Sequence, residues 1–288
     1  ALRTVIRMFI GLFFALLFTF IFGTWAGKSK AAEKIIVPTI DILQSVPVLS
    51  FISITVTSFI TLFRGSMLGP ECAAIFAVFA AQTWNMTLSF YQSVRTVPHE
   101  LKEAGRMLQL SAWQRFWRVE VPFSIPGLLW NMMLSMSGSW IFLIAAESIS
   151  VNNQTIVLPG VGSYLGLAIS HSSISGVIYT ILTMLIVILL YDQLFFRPLL
   201  NWSKKFTFEQ VSQEYFPRSW VTTLLQRTYI LKYCSYFFRK LNKLFVNLAF
   251  LKTSTTARKP KNIHLEKTFN TTWYIIITAI TLSAIWLL

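Results

Sequence analysis

Apolar residues fall in blocks of about twenty along this chain, near 4–26, 46–63, 70–94, 123–146, 174–196 and 272–288. Each block approaches the length a helix needs to cross a hydrocarbon layer roughly 30 Å thick. The pattern predicts six membrane spans. The block at 46–63 is the least apolar, being rich in Ser and Thr with Pro47 near its start. Between the third and fourth blocks the pattern changes to that of two short amphipathic helices. Pro98 suits a first helical position, Glu100 and Glu103 lie toward the N-terminus, Arg106 comes later, and Leu101, Ala104 and Leu108 form one apolar edge. Ser111 with Gln114 three residues on has the form of a capping box, so a second helix is expected to start there and carry Trp113, Phe116 and Trp117 toward Pro122. The two helices should meet at a sharp corner.

Composition leads independently to the same class. With 55% hydrophobic residues, 12% charged residues and a mean hydropathy of +0.60, the chain lies far outside the range of soluble domains and is an integral membrane protein. Lys and Arg accumulate on the cytoplasmic side of membranes. Segments 27–37, 95–118 and 197–267 carry 3, 5 and 14 of them, whereas 64–69 carries Arg64 alone and 147–173 carries none. The first span therefore runs from outside to inside, the two-helix loop is cytoplasmic, and 147–173 is external. The 14 basic residues of 197–267 face three acids, Glu209, Glu214 and Glu266, so this segment holds +11 of the net +14. Ile230, Tyr233, Phe237, Leu241, Leu244 and Leu248 share a helical stripe opposite Lys232, Arg239 and Lys243, as in a helix lying on an anionic membrane surface. No zinc, helix-turn-helix or RNA-binding signature accompanies the charge, so lipid is the expected neighbour and nucleic acid is not. Cys72 and Cys234 are far apart in sequence and are expected to be unpaired apolar residues.

The run Glu103-Ala104-Gly105-Arg106 through Val121-Pro122 resembles the EAA loop of permease subunits from binding-protein-dependent ABC importers. Residues 38–47 (PTIDILQSVP) resemble the segment before that family's second core span, and Ser139-Trp140 through Ala146-Glu147 its fourth. The resemblance covers about residues 1–200. It implies an all-α type I permease core of five transmembrane helices at 1–200, followed here by the basic linker 201–267 and a further transmembrane helix within 268–288. That last segment reads as the first span of a second, fused unit or as a plain anchor. Chain start at Ala1, without a signal peptide's features, reads as truncated or renumbered. Gly105 stands where the family has Ala, and Gln109 where it has Gly. The left-handed turn is therefore expected one or two residues after Gln109. Gln44-Ser45-Val46-Pro47 and the Trp140 to Glu147 region resemble the nitrate, sulfonate, taurine and bicarbonate branch.

The family resemblance further implies a multi-pass protein of the bacterial inner membrane, with Glu103, Ala104, Gly105, Arg106, Leu108, Gln109, Ser111 and Trp113 seated in a groove of an ABC ATPase. Its other partners would be a periplasmic or lipid-anchored solute-binding protein and a second permease half, identical, distinct or fused. ATP and Mg would be held by the partner subunits, with no cofactor on this chain.

Catalytic chemistry is not expected from the chain itself. His99 and Glu103 at i, i+4 lack a third metal ligand, and the glycines of 160–166 (GVGSYLG) fit neither the Walker nor the dinucleotide spacing. That stretch reads as a close-packed external turn and re-entrant lip. Polar residues within spans are costly unless they line a cavity or bond a neighbour. Trp84, Asn85, Asn131, Ser137, Ser139, Trp140 and Glu147 are accordingly the candidate pathway residues, with helix-to-helix bonding the competing role. Glu147 is also a candidate for the external gate, and Asp192 for an interfacial partner of Arg197. The competing functional class is an uncoupled channel or assembly protein retaining a degenerate loop.

Overall fold

A computed structural model describes residues 1–63, 66–151 and 154–206. The basic linker from 207 onward and the apolar segment 272–288 lie outside the described residues. In chain order the elements are α1 (Leu2–Lys28), α2 (Lys30–Ser45), α3 (Val48–Leu62), α4 (Leu68–Thr96), α5 (His99–Met107), α6 (Ala112–Glu147), β1 (Ser148–Val151), β2 (Gln154–Val157), α7 (Val161–Ser170) and α8 (Ile174–Phe206).

Four of these helices, α1, α4, α6 and α8, are long and apolar enough to cross a membrane. The expected span at 46–63 is instead the 15-residue α3, about 22 Å long at 1.5 Å per residue and short of a full crossing. Pro47, extended at φ −60° and ψ 121°, starts it late. Among the described residues the one departure from an all-α fold is the short antiparallel hairpin β1–β2, in which Ser148 pairs with Val157 and Val151 with Gln154. The Leu158 N–H then bonds the Glu147 carbonyl at 3.1 Å and returns the chain to the end of α6. The stretch 160–166, expected as a turn and re-entrant lip, instead caps and opens the ten-residue helix α7.

At the centre lies α4, packed against α1, α3 and α6. Small residues let the backbones close up, as membrane helix pairs require. A Cβ added at Gly11 of α1 would stand 2.6 Å from Val78 Cγ1 of α4, and Ala15, Ala74 and Ala77 are all buried in the same core as Met8, Val78, Met86 and Met136. Three long helices contain a π turn, at Thr19–Gly23, Phe116–Glu120 and Asp192–Phe196. The second precedes Pro122 and Pro126 of α6, whose missing N–H groups interrupt the regular ladder.

Candidate functional site

The corner of the two-helix loop is built by a C-cap followed at once by an N-cap. Residues 99–107 wind as α5, with Pro98 as N-cap in place of the expected first helical position. The helix stops because Gln109 turns left-handed, at φ 50°. Gln109 N–H then bonds the Arg106 carbonyl at 2.9 Å, and Leu110 N–H the Gly105 carbonyl at 3.1 Å, which is the Schellman arrangement that satisfies the carbonyls of a last turn. The turn therefore falls on Gln109 itself, not one or two residues later. A side chain longer than Gly is tolerated there because the two backbone bonds offset the roughly 1–2 kcal/mol that a left-handed residue costs. Two residues on, Ser111 Oγ accepts from Gln114 N–H at 3.2 Å and Ser111 N–H donates to Gln114 Oε1 at 3.1 Å, the reciprocal capping box expected from the sequence.

Gly105 is the buried member of α5 and lies against Arg115, whose Cγ and Cδ are 3.4 Å from where a Cβ would stand. Glu103, Ala104, Arg106, Leu108 and Gln109 are exposed around it. Met107 and Leu108 at the corner are 84% and 72% exposed. Glu103 pairs with His99 at 3.2 Å on the exposed face, and among the described residues no group of His, Cys, Asp and Glu could hold a metal. The aromatic edge of 111–117 turns inward. Phe116 is buried, Trp113 packs edge-on against Trp117 at 5.6 Å, and Trp117 reaches Phe20 of α1 at 6.0 Å. The outward apolar surface is Met107 and Leu108 instead.

Beneath the corner a charged cluster ties α6 to α1. Glu120, nearly buried, pairs with Lys28 at 2.8 Å and faces Arg115 at 3.8 Å, while Lys28 also sits 4.5 Å over the Phe116 ring. On the same end Glu33 of α2 pairs with Arg95 of α4 and accepts from Tyr91 Oη at 2.6 Å. Segments 27–37 and 95–120, both basic, are thus gathered at one end of the bundle.

The opposite end holds an ion cluster of which the sequence singles out Glu147 alone. Arg7 of α1 forks onto Glu71 of α4 through Nε and Nη2, both at 2.6 Å, and donates from Nη1 to Glu147 of α6 at 2.6 Å. The other Glu147 oxygen accepts the Gly162 N–H at 2.8 Å, and Arg7 Nη1 also reaches the Pro159 carbonyl at 3.2 Å. Side chains of Arg7 and Glu147 are 3% and 0% exposed. The backbone passes so close that Cβ atoms added at Gly160 and Gly162 would lie 2.2 Å from the Glu147 carboxylate and 2.3 Å from the Ile144 carbonyl. Both Glu147 oxygens are thereby engaged within the fold. An ionisable residue in an apolar span is a functional-site signal by default, and Arg7 and Glu71 were legible on that ground.

The remaining candidates divide. Trp140 is buried and edge-on to Tyr191 at 6.2 Å, and Ser139 is buried with its hydroxyl on the Ser135 carbonyl. Ser137 is exposed and bonds Leu134 O. Trp84 lines an apolar cavity of about 300 Å³ together with Phe18, Phe22 and Ile36. Asn85 and Asn131 are joined to side chains on neighbouring elements, Gln44 and Ser89. Asp192 pairs with Arg197 at 3.2 Å, as the sequence suggested, and Cys72 is a free thiol.

These features define a multi-pass helical membrane protein with an exposed two-helix elbow at its basic end and a closed ion cluster at the other. Residues 9–197 match the family described as binding-protein-dependent transport system inner membrane component, and the chain belongs to that family. That description places the family in the inner membrane, in agreement with the four helices long and apolar enough to cross one. The chain is 25% identical over 171 residues to the nitrate import permease protein NrtB of Synechocystis, covering 59% of this chain and 57% of that protein. It is 22% identical over 171 residues to the bicarbonate transport system permease protein CmpB of Synechococcus elongatus, covering 59% and 57%. Over 172 residues it is 27% identical to the glycine betaine/carnitine transport permease protein GbuB of Listeria monocytogenes, covering 60% and 56%. The chain spans little more than half the length of these relatives.

Proposed function

We propose that the chain is the membrane-spanning subunit of an ATP-driven importer that passes a small solute delivered by an external binding protein, with the 98–118 elbow as its contact with a partner ATPase. The observation carrying this reading is the elbow itself. Met107 and Leu108 expose two large apolar side chains at the tip of a corner fixed by two caps, rimmed by the exposed charges of Glu103 and Arg106, and an apolar centre with a charged rim is the anatomy of a protein interface. Gly105 resting on Arg115, and Arg115 and Lys28 sharing Glu120, give a displacement of the elbow a rigid route into α6 and α1. ATP and Mg would act at the partner; this chain supplies the lever and the path. Two states, one open outward with ATP bound and one reset by hydrolysis, are the logic such coupling needs. Nitrate and bicarbonate are the solutes we favour, by likeness to the relatives named above.

Co-purification tests the reading. The native chain, extracted from membranes, should bring down an ABC ATPase, and the double reversal Glu103→Arg, Arg106→Glu should lose it while remaining in the membrane. No ATPase with either form would leave an uncoupled channel or assembly protein as the better account.

A further inference from the structure

The outward faces of the long helices are not alike. On α1 the exposed positions include Ile10, Phe13 and Leu17, and on α8 Ile181, Leu185 and Leu189, all apolar as a lipid-facing surface must be. Where α4 meets α2 on one side and α6 on the other, amides and a hydroxyl stand accessible among apolar neighbours such as Leu43 and Leu134. Gln44 Nε2 donates to Asn85 Oδ1 at 3.0 Å. One helical turn along α4, Ser89 Oγ donates to the Gly127 carbonyl at 3.2 Å and accepts from Asn131 Nδ2 at 2.9 Å. Asn131 Nδ2 also reaches the Gly127 carbonyl, at 3.1 Å. Gln44 and Asn85 are exposed, and Ser89 and Asn131 are half-buried.

An exposed amide at membrane depth cannot face hydrocarbon without a cost of several kcal/mol, so this seam must face water or another protein. Asn131 and Ser89 donate within the fold, whereas Asn85 accepts from Gln44 through its carbonyl oxygen and carries its Nδ2 donor on an exposed side chain. None of the four carries a charge. A solute path must attract enough to admit and hold weakly enough to release, and neutral donors meet that condition where a fixed Lys or Arg would trap an anion.

We propose, resting on the importer reading, that Gln44, Asn85, Ser89 and Asn131 form a neutral hydrogen-bonding wall of the translocation path, with the Asn85 amide meeting acceptor oxygens of the passing solute. Ser89 and Asn131 act as positioning residues that hold the wall's shape. The path therefore lies on this seam and not at Trp140 or Glu147, whose side chains are closed inside the fold.

The test uses the assembled complex in native membranes, in a Cys72→Ser, Cys234→Ser background. Asn85→Cys and Asn131→Cys should react with a membrane-impermeant methanethiosulfonate, and Ile181→Cys should not. In uptake assays with nitrate, bicarbonate and glycine betaine as probes, Asn85→Asp should depress the transported anion at least tenfold against its Asn85→Ser counterpart, because a fixed carboxylate repels it. If glycine betaine proves to be the solute, Asn85→Leu should block it where Asn85→Ser does not. An ATPase-bearing complex whose cysteines at 85 and 131 are as inert as that at 181 overturns the wall and leaves the permease reading standing. A chain that brings down no ATPase overturns both.

Discussion

Replacing Arg7 with Met removes the one cation that Glu71 and Glu147 share. Glu147 is fully buried and would retain a single donor, the Gly162 N–H at 2.8 Å. Removing one partner of a buried ion pair costs about 3–5 kcal/mol, because the remaining charge is stranded. Glu71, 30% exposed, is partly relieved by water and adds little. The consequence of that logic is a rescue. In Arg7→Met, Glu71→Gln, Glu147→Gln no charge is left buried, and replacing a whole buried cluster by neutral groups is often close to neutral, so most of the loss should return. Glu147→Gln alone, which keeps the Arg7–Glu71 fork, should cost about 1–3 kcal/mol. The assay is the midpoint of heat-induced loss of monodispersity for the purified complex, where the single Arg7 variant should fall by on the order of 10 °C. An Arg7→Met protein as stable as the native one, or a triple variant no better than Arg7→Met, would refute the reasoning.

Three further outcomes follow from the geometry. Gly162→Ala places a Cβ 2.3 Å from the Ile144 carbonyl and should lower stability by about 1–3 kcal/mol in the same assay, since backbone on both sides cannot move aside. Gln109→Gly should keep ATPase association and slow proteolysis at the elbow, relieving about 1 kcal/mol of left-handed strain, whereas Gln109→Val should speed cleavage. Lys28→Met leaves the elbow's exposed surface intact but cuts the tie from Glu120 to α1, leaving Glu120 only the longer contact with Arg115; it should preserve ATPase co-purification while reducing solute uptake at least tenfold, and equal losses of both would contradict a connection running through α1.

Legibility in the sequence tracked how local the determining physics is. The capping box of Ser111 and Gln114, the α5 helix and the Asp192–Arg197 pair depend on neighbours within five residues, and each stands where the sequence places it. Long apolar blocks likewise announce α1, α4, α6 and α8. The Gln109 turn was misplaced because its cause is the pair of backbone bonds to Gly105 and Arg106, which composition does not encode. Arg7, Glu71 and Glu147 meet across 64 and 140 residues of chain, so their pairing is a fact of tertiary packing, although each charge was visible as an oddity in an apolar run. The hairpin has a local signal too, with Ile149, Val151, Thr155 and Ile156 flanking Asn152-Asn153, a strand and turn composition that is short beside the long apolar blocks around it. Among candidate pathway residues, Asn85 and Asn131 fell on the polar seam, while Trp140 and Glu147 turned inward, and no one-dimensional pattern separates a polar residue that lines a path from one that seals a core.

The central claim is that the elbow meets an ATPase through Met107 and Leu108. A photoreactive benzoylphenylalanine placed at Met107, irradiated in native membranes and followed by mass spectrometry, tests it most directly, with Ile181 on the lipid-facing surface of α8 as the control position. The account predicts a crosslink from position 107 to a subunit bearing nucleotide-binding motifs and none from 181. Absence of any ATPase crosslink at 107, or equal crosslinking from both positions, would contradict it.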